Sequence, residues 1–286
     1  MSGLSDFFLK TLQEAASPSV CWRGFLRKDI SCLDHFNGRL VLRNAPVLTM
    51  ERIGRGVHRP WKLGLQTTSK NDAIDYSKCI FKSLYCQLET KTYCKSVDLN
   101  VTSPERELLA YEIDQTFGFD LIPPVVARDV DGLGNGAIMA WVNKPLAIDW
   151  IHSGKYDYRQ DKGNPWLHLL VAFDFMTGQL DRHACNFIID ENGRVYAIDN
   201  GYSFVRDDDR RFLKCNVAKH LLGCDVHPFV ARFIKSLDPE KVVPIMKNRG
   251  FENGEIEGVQ KRINDLKKVR KWIPLGGRWF AEQHRK

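Results

Sequence analysis

The sequence predicts an α+β protein of two lobes, strand-rich over residues 1–142 and mainly helical over residues 143–286. Three observations predict it. Short apolar runs with alternating partners crowd the first half, and apolar residues at helical spacing dominate the second. The 286 residues also exceed the roughly 100–200 of a typical single domain. With 43% hydrophobic and 27% charged residues, the composition has material for a packed core and excludes a disordered chain.

The elements follow in order. Residues 4–16 read as a short helix carrying Leu4, Phe7, Phe8 and Leu12. Segments 39–43, 61–67 and 78–84 read as strands, with Gly54-Arg55-Gly56 as a turn ahead of the later two. Ser103-Pro104-Glu105 starts a helix, because proline suits a first turn and acids complement the helix dipole; Leu108, Leu109, Ile113 and Phe117 carry it to Gly118. A strand at 125–128, a glycine-rich turn at 131–136 and a strand at 137–142 come next. Asn164-Pro165 opens a helix through Leu169, Leu170, Phe173 and Met176 to Gly178. Two strands, 187–189 and 195–198, flank Glu191-Asn192-Gly193, a hairpin signal. From about Phe212 onward the chain reads as helical.

The formal charge of +7 suits phosphate-bearing partners, with a solvated basic surface as the ordinary alternative; nucleic acid is not expected. The charge is densest at Lys261-Arg262 and over 267–271, on a helix where Ile263, Leu266, Val269 and Trp272 recur. Such a helix could meet an anionic membrane surface, or simply keep its polar face in water. Eight cysteines include no C-x-x-C pair, which leaves zinc ribbons and thioredoxin-type chemistry without support. Residues 1–18 lack the charged start and apolar stretch of a secretory leader, so free thiols in the cytoplasm are the expectation; a chain delivered into another cell would read the same way.

Chemistry concentrates between Asp181 and Asn186 and again at Asp199-Asn200-Gly201. A hairpin brings its two ends together, so Asn186 and Asp199 should lie side by side. Two such oxygen ligands suit Mg²⁺, or Mn²⁺ in its place, shared with the phosphates of ATP. Asp181 is then placed to deprotonate an acceptor hydroxyl, the division of labour found in kinase phosphoryl transfer. A calcium loop would gather its acids in one short run, which these residues do not. Phosphoryl transfer also needs a cation for the phosphates and a carboxylate to hold it: Lys82 on its strand and Glu107 in the following helix, with Lys95 as the rival lysine. His183 either shuttles protons or packs and hydrogen-bonds its own loop, the second being favoured. Gly54 and Gly56 are a weak phosphate loop, and no P-loop, H-E-x-x-H or G-x-S-x-G motif appears.

These residues resemble the phosphatidylinositol 3-/4-kinase-like superfamily of atypical kinases, including its small bacterial members, actin-fragmin kinase and HipA-like kinases. The likeness lies in Arg106-Glu107-Leu108-Leu109-Ala110-Tyr111 with the Pro123-Pro124 that follows, in residues 136–142, and in Phe173-Asp174-Phe175, Asp181-Arg182-His183, Asn186 and Ile198-Asp199-Asn200-Gly201. It spans about residues 80–204. The resemblance implies a two-lobed protein-kinase-like fold, Asp181 as catalytic base, Asn186 and Asp199 as metal ligands, Lys82 on the ATP phosphates and Glu107 as its partner. It also implies that Met139, Trp141 and Val142 meet adenine. A protein substrate is expected over a lipid, because the chain is short beside large lipid kinases. One departure stands out: the superfamily often has Gly-Asn-Thr before the catalytic aspartate, where this chain has Gly178-Gln179-Leu180.

Overall fold

The computed structural model describes residues 32–53, 60–67, 73–84, 101–206 and 215–272. The helix expected at 4–16, the Gly54-Arg55-Gly56 turn and Lys95 lie outside the described residues. Helix α1 (Cys32–Asn44) leads into strands β1 (Val47–Arg52), β2 (Trp61–Leu65) and β3 (Ile74–Ser83). Helix α2 (Ser103–Phe117) precedes the hairpin of β4 (Val125–Val130) and β5 (Gly134–Val142). The five strands form one antiparallel sheet in the order β1-β2-β3-β5-β4. Beyond Val142 the chain is mainly helical. It comprises α3 (Ala147–Ser153), α4 (Pro165–Thr177), the small hairpin β6 (Phe187–Ile189) and β7 (Val195–Ala197), α5 (Asn216–Leu221), α6 (Pro228–Ser236), α7 (Val242–Asn248) and α8 (Asn253–Leu266).

Two readings from the sequence are corrected. Residues 39–43 were expected as a strand and lie in α1 instead. An apolar run of three residues, Leu40-Val41-Leu42, is too short to separate strand from helix, and tertiary packing decides. Gly38, Val41, Leu42 and Ala45 recur at helical spacing, and Leu42 is fully buried in the core on one face of the sheet. Gly38 is required there, since a Cβ would fall 2.0 Å from the Tyr76 ring. Arg128 of β4 then fastens the helix end, donating to the carbonyls of Leu42 (2.9 Å) and Ala45 (2.7 Å). The second correction concerns the basic helix, which stops at Leu266 rather than running to Trp272. Lys268 and Val269 donate back to Asp265 and Leu266 in tight turns, and Trp272 then donates to the Cys224 carbonyl across an antiparallel bridge. Lys267–Lys271 therefore follow the helix instead of lining its polar face.

Other boundaries follow local chemistry. Thr102 caps α2 by accepting from the Glu105 N–H, and Gly118 ends it in the left-handed conformation. Asn164 and Gly178 do the same for α4. Cross-strand pairing puts Lys82, Ile80, Ala137 and Met139 on one sheet face and Cys79, Phe81, Ile138 and Ala140 on the other. The second face is covered by α1. The first meets α2 and the helical lobe: Leu108, Leu109 and Ile113 of α2 share a single core with α4, α6 and α8. Helix α2 is thus packed into the large core rather than the sheet's own. No helix among the described residues is long and apolar enough to cross a membrane.

Candidate active site

The candidate site is built where α4 ends. Gly178, at φ 67°, turns the chain out of the helix, and the Phe204 N–H returns to the Thr177 carbonyl, closing the segment that holds both loops. The loop 181–186 then enters β6, and β7 delivers Asp199. Asn192 and Arg194 both donate to Asp190 Oδ1, with Gly193 at φ 79°, so the intervening turn is tight and the two ends converge. Phe187 pairs with Ala197, and Ile198 N–H donates to the Asn186 carbonyl at 3.1 Å, setting Asn186 beside the residue preceding Asp199.

Lys82 reaches across from β3. Its Nζ lies 2.5 Å from Glu107 Oε1 and 2.8 Å from Asp199 Oδ1. Burial alone would lower the ammonium's pKa, but the carboxylates of Asp199 and Glu107 outweigh it and hold Lys82 charged, above its ordinary value. Glu107 also accepts the Asn200 N–H (2.9 Å) and is almost fully buried, whereas the Asp199 side chain is 35% exposed. Asp199 sits at φ 57°, a left-handed conformation unusual for a non-glycine residue and characteristic of functional sites. Gly201 follows with its Cα against α2: a Cβ there would fall 2.0 Å from Ser103 Oγ.

Asn186 Nδ2 donates to the Asp181 carbonyl at 2.7 Å, which leaves Oδ1 as the end available to a cation. The Asp181 side chain is 43% exposed, with His183 Nε2 3.7 Å from its Oδ2. His183 Nδ1 accepts the Cys185 N–H at 3.2 Å, so the ring is committed to its own loop and carries its proton on Nε2 when neutral. Met139 lies on the Lys82 face of the sheet; Trp141 belongs to the same face and stacks under the Lys62 ammonium at 5.1 Å. Val142 packs elsewhere, against Ile188 and Tyr196.

Sequence reasoning missed what lies beneath. Arg182 is fully buried and its Nε donates to both oxygens of Asp174 at 3.1 Å. Its Nη1 donates to the carbonyls of Asn186 and Ile198, and its Nη2 to Asn200 Oδ1 at 2.6 Å. Asn200 Nδ2 in turn faces Glu107 Oε2 at 3.4 Å. One guanidinium thus ties α4, the Asp181 loop, the end of β7 and the Glu107–Lys82 pair together. Burial holds the Asp174 carboxyl above its ordinary value, and Arg182 offsets only part of that rise. The signal was visible: an aspartate inside the apolar run of α4 must either meet a cation or hold a proton. A second buried guanidinium, Arg106, joins α2 to Glu255 of α8 at 2.7 Å and to the carbonyls of Ser203 and Phe204.

No protein-family model matches the chain. Hydra Fam20, solved with sugar, aligns at a TM-score of 0.54 over 90% of this chain and 92% of that one, at 16% identity. A crystal structure of the Golgi casein kinase aligns at 0.49 over 83% and 74%, at 11% identity. The two-lobed, protein-kinase-like α+β fold is thereby shown. The human protein named inactive polyglycylase TTLL10 is 25% identical over 143 residues, 47% of this chain; the chain spans 20% of that relative's length.

Proposed function

We propose that this chain is an ATP-dependent kinase that transfers the γ-phosphoryl group to a hydroxyl, on a protein serine or threonine in preference to a lipid. The observation that carries the reading is the position of Lys82, bonded at once to Glu107 and Asp199 beside a loop presenting Asp181 and Asn186. The likeness of three stretches to the phosphatidylinositol 3-/4-kinase-like superfamily supports the same assignment.

Each residue has a part in the proposed reaction. Asp181 accepts the proton of the acceptor hydroxyl as its oxygen attacks the γ-phosphorus, and the bond to the bridging oxygen of ADP breaks. Lys82 neutralises phosphate charge, and Glu107 fixes its direction. Met139 and Trp141 line the sheet face toward adenine, while Val142, whose side chain is packed away, offers only its backbone. The donors Asn186 Oδ1 and Asp199 fit Mg²⁺ or Mn²⁺, which takes one or two protein oxygens and fills its shell with phosphate and water. When bound, that ion would supply charge neutralisation of the phosphates.

The test is purified protein with γ-labelled ATP and Mg²⁺, wild type beside Asp181→Ala and Asp199→Ala, offered protein, lipid vesicles and, since hydra Fam20 was solved with sugar, a glycan. Label should reach protein and fall by at least ~100-fold in both variants. Label in lipid or glycan alone would replace the acceptor, and transfer of AMP, visible by added mass, would replace the reaction. Nucleotide binding without transfer to any acceptor would make the chain a binding module.

A further inference from the structure

We infer that Gln179 is a positioning residue that sets the spacing between Asp181 and Asp199, a role that rests on the kinase reading above. Its side chain is fully buried at the end of α4. Oε1 accepts the Asp181 N–H at 3.0 Å, and Nε2 donates to the Asp199 carbonyl at 3.1 Å. A single amide therefore spans the two residues on which the chemistry depends, one at the start of the loop and one at the end of the hairpin.

The bridge acts at a residue of uncommon backbone conformation. Asp199 occupies the left-handed region, which persists only when its surroundings over-determine it. Its carboxylate is held by Lys82 and its carbonyl by Gln179. Gln179 is itself fixed, because its N–H donates to the Asp174 carbonyl at 2.9 Å in the turn that ends α4. Gln179, one of two residues that depart from the Gly-Asn-Thr pattern, thus joins the aspartates, and its side chain reaches one methylene further than asparagine would.

Both ends of the amide matter. Glutamate would keep an acceptor for the Asp181 N–H but set an oxygen against the Asp199 carbonyl. Methionine would keep the volume and make neither bond. Asparagine has the right ends and a shorter reach.

The experiment uses the full chain and two readouts on Gln179→Met, Gln179→Glu and Gln179→Asn. Hydrogen exchange at the Asp181 amide should speed by roughly fivefold or more in the methionine variant, while the Phe204 amide, bonded to Thr177, keeps its rate. Turnover with Mg·ATP should fall roughly 10- to 100-fold in the methionine and glutamate variants, with half-saturating Mg²⁺ raised. The KM for ATP should change by less than about threefold, and asparagine should restore part of the loss. A methionine variant that keeps a protected Asp181 amide, or one that turns over within about twofold of wild type, overturns the inference. A wild type that transfers nothing defeats the kinase reading alone, and the exchange arm still decides whether the bridge exists.

Discussion

Replacing Arg182 by methionine removes the buried cation that faces Asp174, and the consequence can be worked from its contacts. Both side chains are wholly excluded from solvent, so Asp174 would be left as an uncompensated buried carboxylate, a change that costs about 3–5 kcal/mol. The carbonyls of Asn186 and Ile198 and Asn200 Oδ1 lose their donor as well, each worth about 1–3 kcal/mol when left unmet. These losses overlap, since the loop relaxes once freed, but even the first is a large part of a total stability of about 5–15 kcal/mol. Urea unfolding followed by tryptophan fluorescence should show Arg182→Met to be among the most destabilised single variants. Adding Asp174→Leu removes the stranded charge and should recover about half or more of the loss, because an apolar pair often replaces a buried ion pair without penalty. Transfer activity should not return in that double variant, because Asn186 and Ile198 remain unanchored. A single-variant loss below about 1 kcal/mol would refute the reasoning, as would a double variant no more stable than the single one.

Two further outcomes are expected. Asp114 is fully buried on α2, where it accepts the Leu121 N–H at 2.8 Å; burial, reinforced by the charge of Asp120, pushes its carboxyl up to about 8. The folded state therefore holds this proton more tightly than the unfolded chain, whose value is about 3.9, so the contribution is full below pH ~4 and lost as pH rises through ~8. Thermal melts between pH 5 and 8.5 should show Asp114→Asn losing less Tm than wild type, and parallel curves would refute the assignment. Gly201→Ala forces a Cβ to within 2.0 Å of Ser103 Oγ and 3.1 Å of Ser103 Cβ, pushing α2 and Glu107 away from Asp199. It should cost about 1–3 kcal/mol and weaken nucleotide binding. Ser103→Ala in the same chain should restore part of both, and titration calorimetry would show no such rescue if the contact is unimportant.

Much of the framework was legible because it is written in neighbouring residues. Thr102, Pro104 and Gly118 bound α2, Asn164 and Gly178 bound α4, and Asn192-Gly193 folds the β6–β7 hairpin, each through bonds made within a few positions. The hairpin argument expects Asn186 and Asp199 side by side, and the bond from Ile198 N–H to the Asn186 carbonyl sets Asn186 beside the residue preceding Asp199. Residues 39–43 show where such reasoning stops. Their short apolar run fits a strand locally, and the fit of Gly38 against Tyr76 and the bonds from Arg128 select a helix.

The sequence by itself determined the ends of α2 and α4, the turn between β6 and β7, and which residue types gather between Asp181 and Asp199, because capping, turn formation and periodicity are short-range physics. Only the tertiary structure decided which charges are buried and what they hold. Glu107 meets Asn200, Lys82 meets Asp199, and Arg106 meets Glu255 across long stretches of chain. Burial multiplies the strength of these contacts by excluding water, and no local rule records which distant partners will share the excluded space. Gln179 looked like a departure from a pattern as a letter in the sequence; folded, it lies between the two aspartates because α4, the loop and the hairpin all end at one place.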